Sequence, residues 1–598
     1  MSQPTIDQLI ERLRQGDLSR RGFVRRATAL GISASAAGML SRGVVAQEST
    51  PAGSPSGGGA VTRSITREEF NAALEEEFQF EEPASQGGEI IHVQTSDIQT
   101  LNPTLVDDVY SGWITGFLFD SLVGGSPIDG TDVPGLADYW EVAEDGVTHT
   151  FYLNKEAVWH DGTPLTAADV EFTFQSVLDE NSLSVRRGTV AATLKELVVV
   201  DDYTVQLIAI EPSATFVGDA AGQFGILPKH IWESVPFADF GSDPGSTGQD
   251  PTRVVGSGPF KFVEWVVGAN VTIEKNPDAW DKSSIPVVDR YIYRVNADPN
   301  SALQSLVTGE SDIADVPFTQ ATPLRSSNPE LNVVDYDTLA FNYFYTQQDE
   351  ARTPFFVDPK VRQALYYALD RKLVAEQIYQ GFAIQADGTQ PVLSVAYAPD
   401  QVNTVYNYDP EKAMSLLEEA GWIDSDGDGI REKDGVKFSF ECLYSEGVAT
   451  YAQQLPYMQQ SWNEVGIEMI PTAVPFPTLS QNSEAGNFQM AVAGFNWSVD
   501  GSQIAMFGCE SVPPAGFNRF GYCNPEYDEL ENRARVELDP EARIDLLLEA
   551  SNIVNDEAVI GIMVFRKSIV GSSPRLHNFI PNGYSTVWSI TKVWVEEQ

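Results

Sequence analysis

The spacing of apolar residues changes along the chain. In Trp140-Glu141-Val142 and Thr148-His149-Thr150-Phe151-Tyr152-Leu153 they alternate around Asp145-Gly146, and a period of two about a dipeptide that tolerates positive φ predicts a β-hairpin. Ile90, Ile91 and Val93 predict a strand where the ordered body begins, after Gly87-Gly88-Glu89. Farther on the period lengthens. Val361, Ala364, Leu365, Ala368 and Leu369 recur at helical spacing behind Asp358-Pro359, a cap and a proline suited to the first helical position, with Gly381 past the end. Asp409-Pro410 opens a second such helix, with Ala413, Leu416, Leu417 and Ala420 on one face and Gly421 as its stop. Asn524-Pro525 and Asp539-Pro540 open two more, the latter carrying Ile544, Leu547 and Leu548. Thr166-Ala167-Ala168-Asp169 has capping-box spacing ahead of Val170, Phe172 and Phe174. Strands and helices therefore intermix, and 598 residues exceed what one core holds, so two or three mixed α/β domains are expected.

The amino terminus departs from this pattern. Arg20-Arg21, within Ser19 to Val24, precedes a weakly apolar Ala/Gly/Ser run from Ala27 to Leu40, too short to span a bilayer comfortably. Residues 1–46 read as a twin-arginine export signal with small residues for cleavage at Val44-Val45-Ala46; the competing reading is a basic amphipathic terminus. Residues 47–86, rich in Pro, Gly and Ser up to Ala60 and then acidic, with a helix open to it from Ser64 to Glu82, read as a flexible acidic linker. No cysteine precedes Cys442, so no lipid-anchoring thiol follows the apolar run. The expected location is the periplasm or the outer cell surface.

Charge and composition narrow the function classes. With 85 acidic against 38 basic residues the formal charge is -47, which excludes the phosphate-neutralising contacts of a nucleic-acid binder. Eleven Trp, 21 Tyr and 31 Phe exclude a disordered acidic chain. G-x-S-x-G and H-E-x-x-H motifs are absent, and His92, His149, His160, His230 and His577 are scattered, so no enzyme is expected. A secreted carbohydrate-active enzyme using two of the many carboxylates stands as the rival from another class.

Three smaller features carry expectations. Cys509 and Cys523 are close enough in sequence to pair across a Pro/Gly-rich loop, leaving Cys442 over; such a bridge contributes about 3 kcal/mol in the chain-entropy picture. Two buried thiols are the alternative. Asp424, Asp426 and Asp428, with the Ile430 carbonyl, stand at calcium-loop positions around Gly429; Gly435 replaces the bidentate Glu, leaving Glu432 or Asp434 to complete a looser shell. Structural calcium and a solvated acidic turn both remain open. Gly256-Ser257-Gly258-Pro259-Phe260 lacks the Lys-Ser/Thr of a phosphate loop and reads as a tight turn.

Several blocks together resemble the extracellular solute-binding proteins of family 5, the dipeptide, oligopeptide and nickel type. They are Leu101-Asn102-Pro103, Phe119-Asp120-Ser121-Leu122, Leu136-Ala137 through Trp140, Trp159-His160-Asp161-Gly162-Thr163-Pro164-Leu165-Thr166-Ala167-Ala168-Asp169-Val170, Val255 to Phe260, Asn276-Pro277, and Val361-Arg362-Gln363-Ala364 through Asp370-Arg371. They occur in the family's order across nearly all of Gly87 to Gln598.

The resemblance implies a mixed α/β, two-lobed periplasmic-binding-protein-like fold of the large class, with an extra subdomain and a hinged interlobe cleft. Lobe I would comprise 87–130, 250–334 and 561–598, the inserted subdomain 131–249, and lobe II 335–560. It also implies a non-catalytic, monomeric receptor that needs no cofactor and passes peptides to the permease subunits of an ABC importer; an oligosaccharide, nickel chelate or haem is the alternative cargo. In peptide-binding relatives an Asp just past an aromatic position holds the ligand's amino group, which here points to Asp500, with Phe495, Asn496 and Trp497 beside it. Val109 and Tyr110 match a segment that meets ligand from the opposite lobe. The bland alternative is that Trp497 is core and Asp500 caps the turn at Gly501-Ser502-Gln503.

Overall fold

The computed structural model describes residues 62–448 and 450–596. The export signal with Arg20 and Arg21, and the linker up to residue 61, lie outside the described residues. Two sheets organise the rest.

The hairpin forms as its alternation predicts. Ala137–Val142 and Thr148–Leu153 pair antiparallel, with Val142 opposite His149, and the Asp145 carboxylate takes the amides of Val147 and Thr148 while Gly146 sits at φ +68. Three further strands complete a five-stranded sheet in the order Thr62–Arg63, Ala137–Val142, Thr148–Leu153, Thr204–Ala209, Leu194–Asp201. Its inward residues Trp140, Phe151, Val205 and Leu207 join Ile90, Phe260 and Tyr291 in one continuous core. The inserted sheet is thus fused to its neighbour by shared apolar burial.

The larger sheet has eleven strands and runs through both lobes. Glu89–Gln94, Arg290–Val295 and Ile313–Asp315 are parallel to one another in the first lobe, flanked by the antiparallel pair Asn270–Lys275 and Phe260–Val266. Ser439–Ser445, Glu468–Val474 and Met490–Asn496 form the parallel core of the second. Between them lie two long antiparallel strands, Asn332–Thr346 and Ile560–Ser572. Their ladder runs from Asn332 opposite Ser572 to Asp337 opposite Lys567, is interrupted, and resumes from Phe341 opposite Phe565. Thr338 bridges the gap by donating its hydroxyl to the Arg566 carbonyl at 2.7 Å. The ladder is therefore broken inside these strands, at residues 337–341 and 565–567.

Two of the sequence blocks grip each other. The Gly256 amide donates to Nδ1 of His160 at 3.1 Å, the His160 amide donates to the Gly256 carbonyl at 2.7 Å, and Nε2 of His160 pairs with the Gly258 carbonyl at 3.0 Å. An acceptor Nδ1 fixes the neutral Nε2–H tautomer, and burial holds His160 well below its usual range, at about 4. The amides of Ser257 and Gly258 both donate to the Leu118 carbonyl at 2.9 Å, closing the carboxyl end of the helix Val109–Leu118.

The segment expected to be a free linker is anchored from Thr62 onward. Thr62 and Arg63 add a strand to the inserted sheet opposite Val142 and Glu141, and Thr66 and Glu69 form a capping box on the helix Arg67–Phe78. That helix buries no residue of its own, but Arg67 reaches Asp138 and Asp281 at 3.1 Å each and stacks on Trp280. Phe78 packs on Trp588 with ring centres 4.3 Å apart. One arginine and one aromatic contact tie down a stretch whose composition suggests a tether. Cys509 and Cys523 are bonded to each other, and Cys442 is a buried free thiol whose ionisation burial pushes far upward.

A Cβ on Gly256 would lie 1.9 Å from the Leu118 carbonyl oxygen, whereas one on Gly188, in the helix Arg187–Thr193, meets nothing within 4 Å. Gly256→Ala is therefore expected to destabilise the fold by about 3 kcal/mol and Gly188→Ala by less than about 0.5 kcal/mol, read by denaturant unfolding. Equal effects would contradict this account of the turn.

Candidate functional site

Two cavities open along the face of the first lobe. One, of about 480 Å³, is lined by the start of the helix Val109–Leu118 together with Trp113, Arg186, Gln223 and Tyr584. The other, of about 630 Å³, lies between the inserted sheet and the second lobe; Asp132, Trp140, His149 and Asp219 face Val499, Asp500 and Arg543 across it. Both volumes suit a small solute. Gln223 lines both cavities. Between them the lobes touch at Gly130, where a Cβ would come 2.7 Å from Val499 and 2.8 Å from the Tyr584 ring; its φ of +77 also requires glycine.

Asp500 faces the larger cavity. Arg543 donates to its main-chain carbonyl at 2.9 Å and to carboxylate Oδ2 at 3.4 Å, and among the described residues no donor reaches Oδ1. One oxygen is thus oriented by an arginine while the other is left for an incoming donor. Val109 lines the smaller cavity and is 55% exposed. Tyr110 packs edge-on against Trp113 at 5.6 Å and lines neither cavity.

Of the two places the sequence leaves open for Trp497, this fold puts it in the core. Its indole is buried, stacked on Phe341 at 5.5 Å, and donates to the Thr389 carbonyl at 3.2 Å. Trp497 follows the strand Met490–Asn496, which packs on the long crossing strand through its pairing of Phe495 with Phe341, and core burial claims the ring. Phe495 is half-buried against Phe341 and Phe517, and Asn496 is exposed; neither lines a cavity.

The larger cavity is acidic. Burial, joined by repulsion from Asp219, pushes the Asp132 carboxyl up to about 6. Burial also raises Asp219, against a 2.7 Å bond from the Thr215 hydroxyl, and the charge of Asp500 adds to the rise. His149 occupies an inner-face position of its strand, is 3% exposed, and among the described residues its ring nitrogens meet no side-chain partner, with only the Gly146 backbone acting on the ring. Burial lowers it to about 4, so the ring is neutral at pH 7. Asp132, Asp219, His149 and Arg543 escaped the sequence reading as site residues because they come from four separate elements, none with a recognisable motif.

In the acidic loop, the carboxylates of Asp424, Asp426 and Glu432 approach within 4.8 Å of one another. Lys437, however, pairs with Asp428 and lies 3.4 Å from Asp426, while Asp424 takes the amides of Gly427 and Gly429. A calcium ion there, using the Ile430 carbonyl as sequence spacing suggested, has to displace that ammonium. What closes the loop in this fold is its own lysine.

Two lobes joined by a pair of crossing strands, with a solute-sized cavity between them, define a binding protein. The chain belongs to the bacterial extracellular solute-binding proteins of family 5: the profile described as "Bacterial extracellular solute-binding proteins, family 5 Middle" matches residues 132–509. It is 32% identical over 402 residues to the oligopeptide-binding protein AppA of Bacillus subtilis, covering 67% of this chain and 72% of that one. It is 27% identical over 485 residues to heme-binding protein A of Haemophilus influenzae, covering 77% and 84%. The solved structure of Bacillus subtilis AppA in complex with a nonapeptide superposes with a TM-score of 0.70 at 27% identity, over 86% of this chain and all of that one. Among the described residues no helix is long and apolar enough to cross a membrane.

The acidity of the cavity makes a stability prediction. The Asp132 carboxyl stands at about 6 in the fold against 3.8 for the free group. Below pH 4 it is protonated in both states and costs nothing; above pH 6 it is ionised in both, and the folded state alone carries the burial penalty. Asp132→Asn is expected to stabilise the protein by on the order of 2 kcal/mol at pH 8 and not at all at pH 4, by denaturant unfolding at each pH. No gain at pH 8 would contradict the assignment.

Proposed function

We propose that this chain is the peptide receptor of an ABC importer, exported by the twin-arginine route, acting outside the cytoplasm as a monomer without catalysis. The peptide lies between the lobes, its amino group on Asp500, and its closed complex is what the membrane permease recognises. The observation that carries the reading is the Asp500 carboxylate in the cavity lining, held by Arg543 through Oδ2, with no donor on Oδ1 among the described residues. A carboxylate so placed selects a free amine by a charge-assisted bond, while main-chain pairing along an extended peptide supplies affinity without reading side chains. Family membership and the oligopeptide-binding relative support the same cargo class.

Binding of trialanine and its amino-acetylated form, measured by calorimetry, tests this. The parent is expected to bind the free peptide at least about tenfold more tightly than the acetylated one, and Asp500→Asn to lose that difference. Equal affinity of parent and Asp500→Asn for the free peptide would remove the amine-binding role, and turnover of any peptide or glycan would remove the receptor reading altogether.

A further inference from the structure

The larger cavity carries more negative charge than one ligand amine neutralises. Asp132, Asp219, Asp500 and Glu537 line it, and among the described residues its one cation is Arg543, which is already bonded to Asp500. Among the described residues neither Asp132 nor Asp219 forms an ion pair; Asp219 has the Thr215 hydroxyl and the more distant charge of Arg543, and Asp132 the backbone of Gly218. Around them stand Trp140, Val142, Val217 and Leu538. Uncompensated carboxylates beside apolar walls are unfavourable until a cation arrives.

We propose that this cavity receives a cationic side chain, an ammonium or guanidinium on a flexible stem, carried by the residue that bears the ligand's amino group, with Asp219 and Asp132 as its acceptors. The inference rests on the peptide reading above and adds a preference for a basic first residue. Three observations support it beyond the acid count. First, the His149 ring, almost fully buried in the lining, meets no partner of full hydrogen-bond geometry among the described residues, only the backbone of Gly146 acting on it, and as a neutral ring offers an acceptor to a ligand N–H. Such an incompletely partnered buried polar group marks a place where a ligand group completes the set. Second, Gly218 leaves room for the acceptor: a Cβ there would come 3.2 Å from Asp132 Oδ1. Third, these carboxylates are spread along the cavity and do not converge; the group of acids that does come within 4.8 Å among the described residues is Asp424, Asp426 and Glu432, elsewhere. Spread acceptors fit two separated positive groups on one molecule, the amine at Asp500 and a second charge farther in, better than they fit a single metal ion.

Calorimetry with Lys-Ala-Ala, its norleucine counterpart Nle-Ala-Ala, and spermidine tests the assignment at pH 7.5. The lysine peptide is expected to bind the parent about tenfold more tightly than the norleucine peptide, the yield of one charge-assisted contact. Asp219→Asn and Asp132→Asn are each expected to reduce that ratio at least about threefold while leaving the norleucine peptide within about twofold of the parent. Both variants remove an unfavourable buried charge, so loss of folding is not the expected route to a loss of binding. Equal binding of the two peptides to the parent, or a variant that weakens both equally, overturns the cationic pocket and leaves the peptide reading standing. Binding of spermidine without either peptide, lost in Asp219→Asn, supports the cationic pocket and overturns the peptide reading.

Discussion

Everything in this molecule hangs on one ladder, the antiparallel pairing of Asn332–Thr346 with Ile560–Ser572. It is the central seam of a sheet that belongs to both lobes, so neither lobe can be displaced without bending these strands. The ladder is interrupted between Asp337 and Phe341, where Thr338 substitutes a side-chain bond for a main-chain one. Regular pairing on both sides and a gap between make a stiff connection with one compliant point, the element a hinge requires. Lys567 lies 3.0 Å from Asp335 and 3.9 Å from Asp337, placing opposite charge at that point from both strands.

The blocks most characteristic of the sequence prove to build the frame rather than touch the cavities. His160 and the Gly256–Gly258 turn satisfy each other's polar groups and seal the Leu118 end of the helix whose opposite end, at Val109, faces the smaller cavity. Arg362 and Arg371 are buried and give most of their donors to carbonyls, among them Glu557, at the end of the preceding helix, and Ile562, near the start of the second long strand. Buried guanidinium groups without carboxylates are tolerable because every such bond replaces a lost water contact. The site itself sits on segments of no special character, held at the correct place by this frame.

That division explains what the sequence could tell. The hairpin at Asp145-Gly146, the capped helices at Asp358-Pro359 and Asp409-Pro410, and the capping box at Thr166 are local devices, written in adjacent residues, and they were legible. So was the fold, through blocks in a known order. Trp497 stayed undecided between pocket and core because its place between Phe341 and Phe507 depends on residues far away in sequence. The anchoring of residues 62–86 was invisible for the same reason: Arg67 finds Asp281 and Trp280 only once the first lobe has formed. His149 obeyed the alternation of its strand, but nothing local says that its side of the sheet meets a cavity. Asp132, Asp219 and Asp500 become one acidic surface only through the meeting of the inserted sheet and the second lobe.

The central claim is that the two lobes hinge at residues 337–341 and 565–567 and close on a peptide, with Gly130 against Val499 as the contact of the closed form. Small-angle X-ray scattering of the protein with and without saturating trialanine tests it most directly. The account predicts a smaller radius of gyration with peptide and a scattering profile that matches the structure described above. An unchanged profile, at peptide concentrations where calorimetry shows the sites full, would contradict it.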